Sequence, residues 1–218
     1  MGVKWLLRWQ PPTSLPLTTP MFEEILANAE AIGAQQGGRW QLTSTLYRPI
    51  VREAKGGEPA AVRDLFMITG TEHPEKLWLV VRQEKQVLVA DASLLAILDK
   101  VQLYKQRTAV TFEGRVYEMG DFRLRLGRAV FSINEQLRGI TLEVEYLPTQ
   151  SSAQAVPMLT EFFAVWDESL KSKSLLGKFV VVDPLFEEFG LSDNYSLQHM
   201  ALHYVYLSTL FLIGTRVS

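Results

Sequence analysis

Two segments near the middle of the chain, Phe122-Arg123-Leu124-Arg125-Leu126 and Ile140-Thr141-Leu142-Glu143-Val144-Glu145-Tyr146, alternate apolar and polar side chains with a period of two. A helix scatters such a pattern around its axis, whereas a strand sorts it onto opposite faces of a sheet. In both segments the apolar residues are even-numbered. A hairpin turn near Asn134-Glu135-Gln136 keeps that parity in step, so Phe122, Leu124 and Leu126 line one face with Leu142, Val144 and Tyr146. Arg123 and Arg125 then meet Glu143 and Glu145 on the other face, which reads as solvated. Each cross-strand pair contributes only about 0.2–1 kcal/mol, so its main effect is on register. The preceding run, from Thr108 to Glu118, has Val110 and Phe112 on even positions but needs Tyr117 opposite Phe122. Parity must switch, and Gly114 predicts a β-bulge at that point. Strands coiled in this way predict closure into a barrel with an apolar interior and the charges outside.

The rest of the chain supplies elements around that unit. Met1 to Trp9 is apolar, but Arg8 and Pro11-Pro12 interrupt it too early for a secretory signal. It predicts a first strand with Trp5, Leu7 and Trp9 on one face and Lys4, Leu6 and Arg8 on the other. Thr19 predicts a helix cap, and Phe22, Ile25, Leu26, Ala29 and Ile32 an amphipathic helix ended by Gly33. Arg39 to Arg48 predicts a strand and Pro49 to Pro59 a loop. Val62 to Thr69, Lys76 to Val81 and Gln86 to Asp91 predict a second meander. Ala92 to Val101 predicts a short buried helix. Met158, Leu159, Phe162, Phe163 and Trp166 recur at helical spacing, and Lys171 to Lys178 predicts a solvated linker. Asp193 or Ser192 caps a final, unusually apolar helix from about Tyr195 to Ile213, shorter than the roughly 20 apolar residues of a membrane span. The fold class is α+β: an antiparallel β-barrel of about eight strands with meander connections, flanked by several helices. One barrel-type domain spans 1–218, with a C-terminal helical extension over 153–218 packed on it.

Chemistry is sparse. A net charge of -2 without a long basic run argues against direct nucleic-acid binding, and the absence of cysteine removes thiolate catalysis and Cys-based zinc sites. His199 and His203 stand four apart on one helix face, but no glutamate lies between them, so they read as two histidines at the edge of packing and not as metal ligands. Glu143 and Glu145 beside Arg123 and Arg125 raise an enzymatic alternative, a triphosphate tunnel-type, metal-dependent phosphohydrolase, in which alternating carboxylates inside a barrel hold a divalent cation. The tunnel-enzyme motif is Glu-x-Glu-x-Lys, and Leu147 stands where its lysine would be. Glu143 and Glu145 pointing inward, toward the arginines, would favour that alternative.

Five segments in order carry a resemblance: Met1-Gly2-Val3-Lys4-Trp5, Leu88-Val89-Ala90-Asp91, Gly114-Arg115-Val116-Tyr117, Gly120-Asp121-Phe122-Arg123-Leu124, and Arg138-Gly139-Ile140 through Tyr146. Together they resemble Mediator complex subunit 20, the TRF-proximal protein family. The resemblance implies a non-enzymatic, structural subunit of the Mediator head module, a coactivator assembly that regulates RNA polymerase II transcription in the nucleus. It implies a barrel that pairs directly with Mediator subunit 18, a related barrel, near subunit 8, and that reaches the polymerase machinery indirectly. It carries over no catalytic, cofactor-binding or metal residues and no cofactor, and the charge and the short apolar helix read above add no direct nucleic-acid contact and no membrane span.

Overall fold

The computed structural model of the chain describes residues 1–12, 15–50, 63–132 and 136–214. Its centre is the expected pairing: strands β7 (Phe122–Phe131) and β8 (Leu137–Tyr146) run antiparallel, with Phe122 opposite Tyr146, Leu124 opposite Val144 and Arg125 opposite Glu143. Most of the turn expected near Asn134, and most of the loop expected over 49–59, lie outside the described residues.

Strand β6 (Tyr104–Met119) pairs with β7 without interruption from Val110–Phe131 to Met119–Phe122, so there is no bulge at Gly114. No switch of parity is needed, because Phe112 and Tyr117 lie on opposite faces and both are fully buried. Gly114 instead permits a close approach: a Cβ there would meet the Leu126 carbonyl oxygen at 1.9 Å. The irregularity sits one strand over, in β2 (Gln35–Pro49), where Gly37 and Gly38 fall between Gln36, opposite Tyr117, and Arg39, opposite Arg115. That insertion turns Trp40 onto the same face as Phe112 and Arg39 onto the other.

The remaining strands are β1 (Val3–Gln10), β3 (Leu65–Gly70), β4 (Lys76–Val81), β5 (Gln86–Asp91) and β9 (Lys178–Val182), and the sheet order is β5-β4-β3-β2-β6-β7-β8-β1-β9. The expected closed barrel of about eight strands is therefore an open antiparallel sheet of nine, with β5 and β9 as its edges among the described residues. The ninth strand, Lys178-Phe179-Val180-Val181-Val182, follows the predicted linker; a five-residue edge strand gives too short a pattern to read.

Both faces are covered, which is why charged residues in β8 are buried. Helix α3 (Ser152–Ser172) packs on the even-numbered face of β7 and β8, and helix α1 (Thr19–Ala31), capped by Thr18 and not Thr19, packs beside α3 on the same side of the sheet, against Trp9 and Tyr117. Phe162 lies 4.6 Å from Phe122 between ring centroids, and Trp9 donates its indole N–H to Met21 Sδ at 3.1 Å. The N-cap of α3 is Ser151, and Asp193, one of the two residues expected to cap the last helix, instead accepts from the Ala153 N–H in the first turn of α3 at 3.1 Å. Helix α4 (Leu197–Gly214) covers the opposite face. It packs against β1, β2, β3, β4, β5 and β9. A flat sheet of nine strands at about 4.8 Å spacing would be roughly 38 Å wide, yet a helix of this length is about 27 Å long and reaches both edges. The sheet is therefore curled, with α4 in its trough.

Helix α2 (Leu94–Val101) makes the crossover from β5 to β6 and has no buried residue; Ile97 is 54% exposed, against the expectation of a buried helix. No helix among the described residues is long and apolar enough to cross a membrane.

Candidate functional site

The trough holds the most unusual chemistry of the molecule. Odd-numbered positions of β7 and β8 face α4, so Arg125, Glu143 and Glu145 are buried beneath it, and cross-strand pairing of β1 with β8 adds buried Lys4. The face expected to be solvated is sealed, because the apolar face needed helices of its own and α4 took the other. Interior and exterior are thus reversed relative to the expectation: the charges lie inside, and the apolar even-numbered face packs outward against α3, with α1 beside it.

Lys4 Nζ lies 2.9 Å from Glu143 Oε1 and 3.9 Å from Glu145 Oε2. One Arg125 nitrogen donates to both carboxylates, at 2.7 Å and 3.0 Å. Its other two nitrogens clamp Glu72, in the turn after β3, at 2.8–3.1 Å. Tyr204 of α4 donates its hydroxyl to Glu143 Oε2 at 2.9 Å, and the Gly2 backbone N–H donates to Glu145 Oε1 at 3.0 Å. All four carboxylate oxygens of the pair are engaged, and two buried cations balance two buried anions. Burial alone would raise the Glu143 pKa; Lys4, Arg125 and the two hydrogen bonds outweigh it and hold the carboxyl at about 2. Glu145 is lowered for the same reasons. Arg125 is raised, since its carboxylate neighbours outweigh the burial that alone would lower it. Burial, reinforced by Glu143, pushes the Tyr204 hydroxyl well above its ordinary value.

Arg123, expected beside Glu145, turns to the rim and pairs with Glu118 at 2.7 Å; it remains 3.9 Å from Glu145. Sequence reasoning placed Glu143, Glu145 and Arg125 together but missed Lys4, Glu72 and Tyr204. The parity of Lys4 in the first strand was a usable signal, since it lies on the face opposite Trp5 and Leu7. Tyr204 offered none within an apolar helix, and Glu72 reaches the site only through the curl of the sheet.

His199 and His203 are buried on α4, deeper than the edge of packing. His199 Nδ1 accepts from the Ser196 N–H at 3.1 Å and its Nε2 faces the Ser192 carbonyl at 2.9 Å. His203 bonds Tyr195 at 3.1 Å and the Val182 backbone, and burial holds it down at about 3, hence neutral. No three metal-ligating side chains converge among the described residues.

The inward placement of Glu143 and Glu145 meets the geometric condition set for the phosphohydrolase alternative, and Lys4 supplies in space the cation that Leu147 lacks in sequence. The state of the site does not suit that chemistry. A cavity of about 30 Å³ beside Lys4, Arg125, Glu143 and Tyr204 has room for about one water molecule. Helix α4 occupies the space a substrate would need, and each carboxylate is committed to internal donors.

A family model described as the TATA-binding related factor (TRF) of subunit 20 of Mediator complex matches residues 1–208. Mediator of RNA polymerase II transcription subunit 20b of Arabidopsis thaliana is 37% identical over 206 residues, which is 94% of this chain and 94% of that protein. Subunit 20 of Schizosaccharomyces pombe is 23% identical over 99% of this chain and 100% of its own length. Among solved structures, a chain of the Schizosaccharomyces pombe Mediator head module aligns at 16% identity with a TM-score of 0.45, over 81% of this chain and 96% of that one.

Proposed function

The chain belongs to the Mediator subunit 20 family, and from that premise we propose that it is a structural subunit of the Mediator coactivator, working in the nucleus by protein–protein contact. The observation that carries this reading is the filled trough: a last helix seated over a fully bonded cluster of buried charges makes a rigid block and not a reaction chamber. Such a cluster fixes one arrangement of strands, because slipping the register would leave charges buried without partners. The chain behaves as a single unit in this reading, supported by one contiguous core that runs from β1 through α4.

Recognition falls to the outer surface. Neither edge strand has a second strand beside it among the described residues, and Leu88, Val89, Ile97 and Val101 around the β5 edge are each 46–54% exposed. Apolar side chains beside a free strand edge are suited to burial against a partner, at about 25 cal/mol per Å². The proposed partners are Mediator subunit 18, bound directly, and subunit 8 within the head module. Purification of the tagged chain from nuclear extract at physiological salt should recover both. Recovery of the chain alone would overturn the assignment of partners.

The second reading, phosphohydrolysis with Glu143 and Glu145 as metal ligands, is favoured by one observation, their inward placement. It requires α4 to leave the trough and both carboxylates to exchange Lys4 and Arg125 for a cation.

A further inference from the structure

The glycine insertion that turns Trp40 into the trough has a second effect on the opposite face. It brings Arg39 directly across from Arg115 on neighbouring strands. Like charges in that relation are destabilising. No carboxylate lies within ion-pair distance of either residue among the described residues; Arg115 reaches only the Gln36 side-chain oxygen at 3.4 Å and Tyr117. The neighbouring Arg128, by contrast, is clamped by Glu113 at 2.6 and 2.9 Å.

These three arginines line a surface cavity of about 590 Å³ beside α1, walled by Phe22 and with Glu23 at its rim. We propose that the Arg39–Arg115 pair is the docking point for an acidic segment of a partner protein, whose carboxylates supply the counter-charge that this chain withholds. An arginine pair presents forked donors matched to carboxylates. The acids already present, Glu113 and Glu23, oppose a continuous phosphate backbone, whereas spaced side-chain carboxylates can avoid them. The surface is separate from the β5 edge and does not depend on which complex the chain joins.

The test is fluorescence anisotropy of a labelled octaglutamate peptide with the full chain, beside the Arg39→Gln/Arg115→Gln variant and a remote Arg107→Gln control. Wild type and control bind, and the double variant loses affinity by ~tenfold or more. The variant's thermal midpoint rises by about 1–3 °C, because a repulsive pair has been removed. That combination separates a binding pair from residues kept for stability. Absence of peptide binding, equal binding by the double variant, or preference for a short single-stranded RNA over the peptide would each overturn the proposal.

Discussion

The hydroxyl of Tyr204 donates to Glu143 Oε2 at 2.9 Å, joining the last helix to the middle of the sheet across 61 positions of sequence. Helix α4 is thereby fixed by a directional bond as well as by its apolar surface, and the pair completes a cluster in which every carboxylate oxygen is used. Tyr204→Phe removes the donor and little volume. It should lower unfolding free energy by about 1–3 kcal/mol in urea denaturation, with the fold retained. An unchanged midpoint would mean that water satisfies Glu143 equally well.

Lys4→Met leaves two buried carboxylates facing one arginine at the centre of the cluster. Breaking a buried pair on one side costs about 3–5 kcal/mol. Adding Glu143→Gln to Lys4→Met should recover part of that loss, giving a double-mutant cycle that departs from additivity by 0.5 kcal/mol or more, on the order of other contacting pairs. Strict additivity would show that the two side chains do not interact.

Gly139 lies under α4, and a Cβ at that position would meet the Phe211 ring at 2.2 Å. Gly139→Ala should therefore destabilise the chain by about 1–3 kcal/mol through overpacking. Phe211→Leu in the same chain should restore some of it by vacating the space. Failure of the second substitution to help would place the strain elsewhere.

Acid should weaken the fold in two stages. Burial lowers His203 from 6.5 to about 3, so between those values the unfolded chain binds the extra proton and stability falls as pH falls. From pH 6.5 to 5 this one group accounts for about 1.6 kcal/mol. Glu143, lowered from 4.5 to about 2, contributes stability above 4.5 that is lost as pH falls toward 2. Denaturation midpoints measured across this range should decline throughout, and His203→Gln should flatten the upper stage. A midpoint that holds steady between pH 6.5 and 5 would contradict the buried neutral imidazole.

The pairing of β7 with β8 was legible in the sequence because two period-two segments of matched parity put the same residues on one face and exclude a slip by one residue, and the observed register, from Phe122–Tyr146 to Leu126–Leu142, keeps that parity. The strands β4 and β5 were legible with their limits, since Gly, Pro and charged turns bound them. What parity cannot say is which face is covered. Alternation at Arg123 to Leu126 looks the same whether the charged side meets water or a helix, and only α4, more than 50 residues downstream in the sequence, decides it. The bulge was misplaced for a related reason. Gly114 in β6 and Gly37-Gly38 in β2 carry the same signal, and distinguishing close approach from insertion requires the partner strand. Closure was illegible for the same reason: alternation assigns faces, and whether the two edge strands meet depends on pairings no single strand encodes.

In the proposed function the buried acids hold the molecule together and do no chemistry. Phosphate release from inorganic triphosphate, measured for the full chain with magnesium or manganese, tests it most directly. The account predicts no release above the protein-free reaction, with Glu143→Gln altering stability alone. Turnover by the wild-type chain that disappears in Glu143→Gln, while the variant remains folded, would contradict it.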